Sequence, residues 1–213
     1  MGINIKTPTQ EHSASKNITS QSRGTLTAAL IEALASRENM EPIWINKLDV
    51  AERQIVEAIT LFYESRDPVV IHTIIASAHQ ILHDIGSESG ITGAIKNPEG
   101  MTRKEFREHV KSVNEPYNYF KHADKDPDSK INVAPINEFT MDFILDAVIM
   151  LQNIKRDLPL QAKLFWGWFV CSFPEQFENM ADNDFIKETR ALGLHKWSFE
   201  SIRQFFVFGE IIE

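Results

Sequence analysis

Asp67-Pro68-Val69-Val70-Ile71-His72-Thr73-Ile74-Ile75-Ala76-Ser77-Ala78-His79-Gln80-Ile81-Leu82-His83-Asp84-Ile85-Gly86 is the stretch that decides the fold. Asp67 offers a side-chain acceptor to the first unpaired N–H groups of a helix. Pro68 takes the first helical position, where its missing N–H costs nothing. Gly86 ends the segment with a residue suited to a left-handed cap. Between these punctuation marks Ile71, Ile74, Ile75, Ala78, Leu82 and Ile85 recur with the 3.6-residue period of one buried face. Thr73, Gln80 and Asp84 form the opposite, polar face. The reading is a helix over 68–85 that packs against other helices.

The neighbouring segments read the same way. Asp49 with Glu52 makes a capping box for a helix that buries Ile55, Ala58, Ile59 and Phe62. Further upstream a short helix is expected over 25–37, carrying Leu26, Leu30, Ile31 and Leu34. Residues 1–24, rich in Ser, Thr, Asn and Gln, read as a disordered tail. Downstream, a Gly/Ser/Asn-rich loop over 86–101 leads to Thr102 and Glu105, a second capping box. Pro116 is expected to break the helix that follows, with a short helix resuming through Asp124. A loop over 125–135 precedes helices at 138–156, 160–173, 184–192 and 198–208; Gly193 stops the third of these. Only Ser129-Lys130-Ile131-Asn132-Val133 alternates like a strand. The expectation is an all-α protein, an antiparallel helical bundle. One helical domain spans 25–213, with its core in 44–160 and C-terminal helices in 160–213.

The chain has 213 residues, with 22 Lys and Arg against 30 Asp and Glu, a net charge of −8. That balance argues against broad binding along a phosphate backbone, although it permits a local RNA site. Met1-Gly2-Ile3-Asn4-Ile5-Lys6 has no apolar core of a secretion signal, and Lys6 breaks the myristoylation pattern. The longest apolar stretch, 164–173, is too short to span a bilayer. A cytoplasmic protein with no membrane partner is expected. Cys171 has no cysteine to pair with and lies in an aromatic run, where a buried, inert thiol is expected.

Three of the seven histidines, His72, His79 and His83, fall within about 40° of one another on the 68–85 helix. Three readings stay open. They are boundary residues with apolar bodies turned inward; or they line a polar ligand or catalytic site; or His79 and His83, at i and i+4, share a divalent metal. Gln80 stands where a zinc-protease helix would carry its glutamate. A second pattern is Asn118-Tyr119-Phe120-Lys121-His122-Ala123-Asp124. Asn118, Lys121 and His122 share a helical face rich in donors, suited to an anion. The alternative is that these groups cap and pair with Asp124, Asp126 and Asp128. The three aspartates are not a calcium loop, since Ser129 replaces the turn glycine and Pro135 the closing glutamate.

Arg66-Asp67-Pro68, Ala78-His79-Gln80-Ile81-Leu82-His83-Asp84 and Asn118–Pro127 together resemble the signatures of a family of uncharacterised bacterial proteins, over about residues 44–160. That resemblance implies a bacterial source. A looser similarity is to the HEPN superfamily of helical bundles from toxin and defence systems, whose ribonucleases carry Arg, a polar residue, a short spacer and His. Arg66-Asp67…His72 fits that spacing best; Arg103…His109 and Arg190…His195 also fit. The similarity implies a metal-independent ribonuclease in which Arg66 and His72 act on RNA.

The aromatic runs 164–177 and 205–208 are expected in the core, or else in a homodimer interface. The leading expectation is therefore a helical protein with a polar pocket between the histidine helix and the 118–124 segment. Its residues would be His72, His79, His83, Asn118, Lys121, His122 and Asp124, and its occupant a small polar or anionic ligand or a divalent metal. A HEPN-type ribonuclease and a non-enzymatic interaction protein are the alternatives.

Overall fold

The structure is a computed structural model that describes residues 27–28, 31, 41–98, 100–124, 126–180, 184–191, 193 and 196–208. The chain divides into two compact units, Met1–Trp44 and Ile45–Glu213. The expected tail over 1–24 and most of the expected helix over 25–37 lie outside the described residues; Thr27, Ala28 and Ile31 are helical.

The described part of the second unit is all α-helical, and no strand forms at 129–133. Its helices are α1 (Lys47–Tyr63), α2 (Pro68–Gly86), α3 (Arg103–Lys121), α4 (Ile136–Lys155), α5 (Leu160–Ser172), α6 (Asp184–Ala191) and α7 (Phe199–Phe208). Two 3-10 segments, Ser87–Ser89 and Pro174–Met180, link them. No helix among the described residues is long and apolar enough to cross a membrane.

The helix starts follow from capping chemistry. Asp67 Oδ1 accepts the Val69 N–H at 2.8 Å and Pro68 opens α2, as the sequence predicts. Thr102 and Glu105 form the expected capping box. The start of α1 differs: Asn46, not Asp49, is the cap, its Oδ1 accepting the Asp49 N–H at 2.8 Å. Asp49 instead lies in the first turn, where its charge favours the positive end of the helix. Pro116 does not interrupt α3, which continues to Lys121. The proline forfeits only its own bond to the Ser112 carbonyl. Ser112 is exposed, so water can replace that bond.

The centre of the bundle is α2, packed most extensively against α1 and α4. The short turn between α1 and α2 folds α2 back on its predecessor, and Gln54 meets Ser77 across the pair. The pairings His72–Thr140 and His79–Asp146 keep a nearly constant offset in residue number, so α2 and α4 run parallel. The long connection through α3 returns the chain to make that possible. Ile55, Ile59, Ile75, Leu82, Phe143, Ile144, Leu151 and Phe165 fill the core. The aromatic run of α5 is buried almost all round. Tyr63 stacks on Phe206 at 4.7 Å and meets Trp168 edge-on at 5.8 Å, which ties α1, α5 and α7 together. Cys171 is a free, partly buried thiol whose pKa burial raises.

Candidate functional site

The histidine stripe faces inward. His72 and His79 are fully buried rather than lying at the edge of the core, while His83 is half-buried. The reason is packing: with α1 on one side and α4 on the other, α2 has little free surface.

His79 Nε2 lies 2.7 Å from Asp146 Oδ2 of α4. Asp146 Oδ1 accepts the Ala94 N–H at 2.9 Å, and Oδ2 also accepts the Ile95 N–H at 3.1 Å. Burial lowers the pKa of His79, outweighing the opposing pull of Asp146. Burial alone would raise the Asp146 carboxyl. The His79 hydrogen bond and the two backbone donors hold it below the usual range instead. At neutral pH the pair is thus a neutral imidazole donating Nε2–H to a carboxylate. Gly93 makes this approach possible. A Cβ there would collide with Asp146 Oδ2 and lie 2.9 Å from His79 Nε2. The result is a clamp that fastens the loop after the Ser87–Ser89 turn to α2 and α4 together. His79 is fully buried and Asp146 nearly so, which suits a structural role for the pair.

His72 has a different partner. The Thr140 hydroxyl donates to the Ile136 carbonyl at 2.6 Å and stands 3.3 Å from His72 Nδ1, so Nδ1–H is the donor to Thr140. Burial lowers the pKa of His72 to about 4. The Phe143 ring lies 5.0 Å from both imidazoles. Among the described residues no three His, Cys, Asp or Glu side chains group closely enough to hold a metal ion. His79 and His83 thus gather no third ligand of those types, and the Nε2 of His79 is engaged by Asp146.

Lys96 is a further buried polar residue. Its Nζ donates to Gln80 Oε1 at 2.6 Å, and Gln80 Nε2 donates to Asp84 Oδ1 at 2.7 Å. Burial lowers the Lys96 pKa to about 8; the nearby charge of Lys121 adds to this and Asp84 opposes it. Lys121 itself folds over the Tyr117 ring at 3.5 Å.

Asn118, His122 and Asp124 converge elsewhere. With Lys111, Glu115, Tyr119 and Asp126 they line an open groove of about 580 Å³ along the outer face of α3. Tyr119 is anchored by donating its hydroxyl to the Ser129 carbonyl at 2.6 Å. The expected pocket therefore divides. Its α3 half is a solvent groove, its histidine half is core, and His72, His79, His83 and Lys121 do not line the groove.

Arg66 is exposed and pairs with Glu64 at 2.9 Å. It lines a groove of about 410 Å³ with Pro68, Ile71 and Glu138, while His72 is not among the lining residues. His109 donates Nε2–H to the Ile95 carbonyl at 2.6 Å, Arg103 is exposed at the start of α3, and His195 lies outside the described residues.

Sequence reasoning missed Asp146, Lys96, Thr140 and Gly93. Asp146 left one trace, a lone carboxylate within Phe143-Ile144-Leu145-Asp146-Ala147-Val148. A buried face interrupted by an acid signals a buried partner. Comparison of the chain with protein-family models, with curated proteins and with solved structures finds no match.

Proposed function

We propose that this protein binds a small polar ligand in the groove along α3, held by Asn118, His122 and Asp124. The observation that carries the reading is the convergence of those three residues, with Lys111 and Tyr119, on one open groove of about 580 Å³. Its size suits a small molecule rather than a polymer. Its chemistry sets the ligand class. Glu115, Asp124 and Asp126 outnumber the cation Lys111, with His122 and Asn118 supplying neutral polar groups. Such a lining favours a zwitterion or a polar amine over a simple anion. Asn118 and Lys111 would hold its acceptors and the carboxylates its ammonium group.

The test is an amide NMR titration of the ¹⁵N-labelled protein with three probes: L-ornithine, inorganic phosphate and Mg²⁺. Saturable shifts at 115–126 with ornithine, lost in an Asn118→Ala/His122→Ala variant, are expected. Shifts with none of the three, or shifts indifferent to the double substitution, would remove the groove as the binding site.

A further inference from the structure

A second pocket, of about 320 Å³, lies where α3, α4 and the clamped loop meet. It is lined from α3 by His109 and Val113, which point away from the Lys111–Glu115–Asn118–His122 stripe. Its walls are apolar: Ile95, Val113, Phe139 and Phe143. They are also held in place. The Ile95 N–H is bonded to Asp146 and its carbonyl to His109, while Phe143 packs between His72 and His79. Phe139 stands 38 % exposed, an aromatic ring open to solvent.

One charged side chain interrupts these walls. Asp142 lines the pocket and has no hydrogen bond or ion pair among the described residues. No Lys or Arg lines the pocket, and Glu138, one turn earlier on α4, adds a second negative charge to the field at Asp142. An apolar recess with an unpaired carboxylate and an open aromatic ring is complementary to one kind of molecule, a compact apolar body bearing an ammonium group.

We propose that this pocket is a binding site for a small organic monoamine, its ammonium on Asp142 and its apolar body between Phe139 and Phe143. An anion would meet the repulsion of Asp142 and Glu138. A neutral apolar molecule would strip water from the Asp142 carboxylate and return nothing for it. Partial desolvation against the pocket wall, reinforced by the charge of Glu138, pushes the Asp142 carboxyl up, in keeping with a site that lacks a cation. The inference is independent of the α3 groove.

The experiment is an amide NMR titration of the full chain with 2-phenylethylammonium, alongside 2-phenylethanol and phenylacetate, which keep the ring and change the charge. The amine is expected to bind with Kd of about 1 mM and to shift the amides of Ile95 and Val113. Asp142→Asn should weaken it about tenfold, Asp142→Glu should retain most of the affinity, and Phe139→Ala should weaken it severalfold. Asp142 is exposed, so both substitutions at that position are compatible with folding. Lys111→Ala, in the other groove, should leave the titration unchanged. Equal binding of 2-phenylethanol, an unaltered Kd in Asp142→Asn, shifts confined to the α3 groove, or no shift at about 10 mM amine would each overturn the proposal.

Discussion

At the scale of single residues, Asp146 holds more of the structure than any histidine singled out from the sequence. Its two oxygens serve one buried imidazole and two backbone N–H groups of the loop. Asp146→Ala would strip the buried His79 N–H and two part-buried backbone N–H groups of their acceptor and should cost about 3–5 kcal/mol, read as a lowered urea midpoint. The companion substitution is Gly93→Ala. Its methyl group would sit on Asp146 Oδ2, so a loss of about 2 kcal/mol or more is expected. If the Asp146→Ala cost stays below about 1 kcal/mol, the clamp is not what holds the loop. The histidines were legible because their spacing is local. Their depth in the core was not, since it depends on α4, some seventy residues away along the chain.

At the scale of elements, capping chemistry explains most boundaries and misplaces two: Gly86, expected as a left-handed stop, is the last helical residue of α2 at φ −77°, and Asp49 is not the cap of α1. Asp49 and Asn46 are both good caps, and the choice between them is made by where Leu48 and Ala51 must pack. Thr102→Ala removes the hydroxyl arm of the box at the start of α3, leaving the Thr102 N–H bond to Glu105, and should cost about 1 kcal/mol by thermal or urea unfolding. Pro116 shows the opposite limit of local rules. A proline predicts a break, yet the segment beyond it presents Phe120 to His72 at 6.2 Å, and that contact keeps the helix running. Pro116→Ala restores an N–H for the Ser112 carbonyl and should stabilise the protein by about 1 kcal/mol, despite the looser unfolded chain.

At the scale of the whole molecule, burying two imidazoles ties stability to pH. His72 has a pKa of about 4 in the native state, below its ordinary 6.5. Above 6.5 neither state is protonated there, and its contribution does not change with pH. Between 6.5 and 4 the unfolded chain takes up a proton that the native state refuses, so stability falls as pH falls. The loss from His72 should reach about 2 kcal/mol by pH 5. His79, also lowered, acts in the same sense, whereas the raised carboxyl of Asp142 opposes it near its ordinary value of 3.8. Urea unfolding at pH 7 and pH 5 checks the slope, and His72→Gln should flatten it. A wild-type profile that is flat over this interval would contradict a neutral, buried His72.

What this sequence determined alone is its helical class and most helix boundaries, because periodicity, caps and prolines act within a few residues. It also singled out Asn118, His122 and Asp124, which share one helix and its end and therefore meet whatever else the chain does. Only the tertiary structure decided that His72 and His79 are core residues and that Asp146 and Lys96 matter. Each of those outcomes depends on which helix lies against which. The parallel packing of α2 and α4 comes from the long connection through α3, whose path no local pattern encodes.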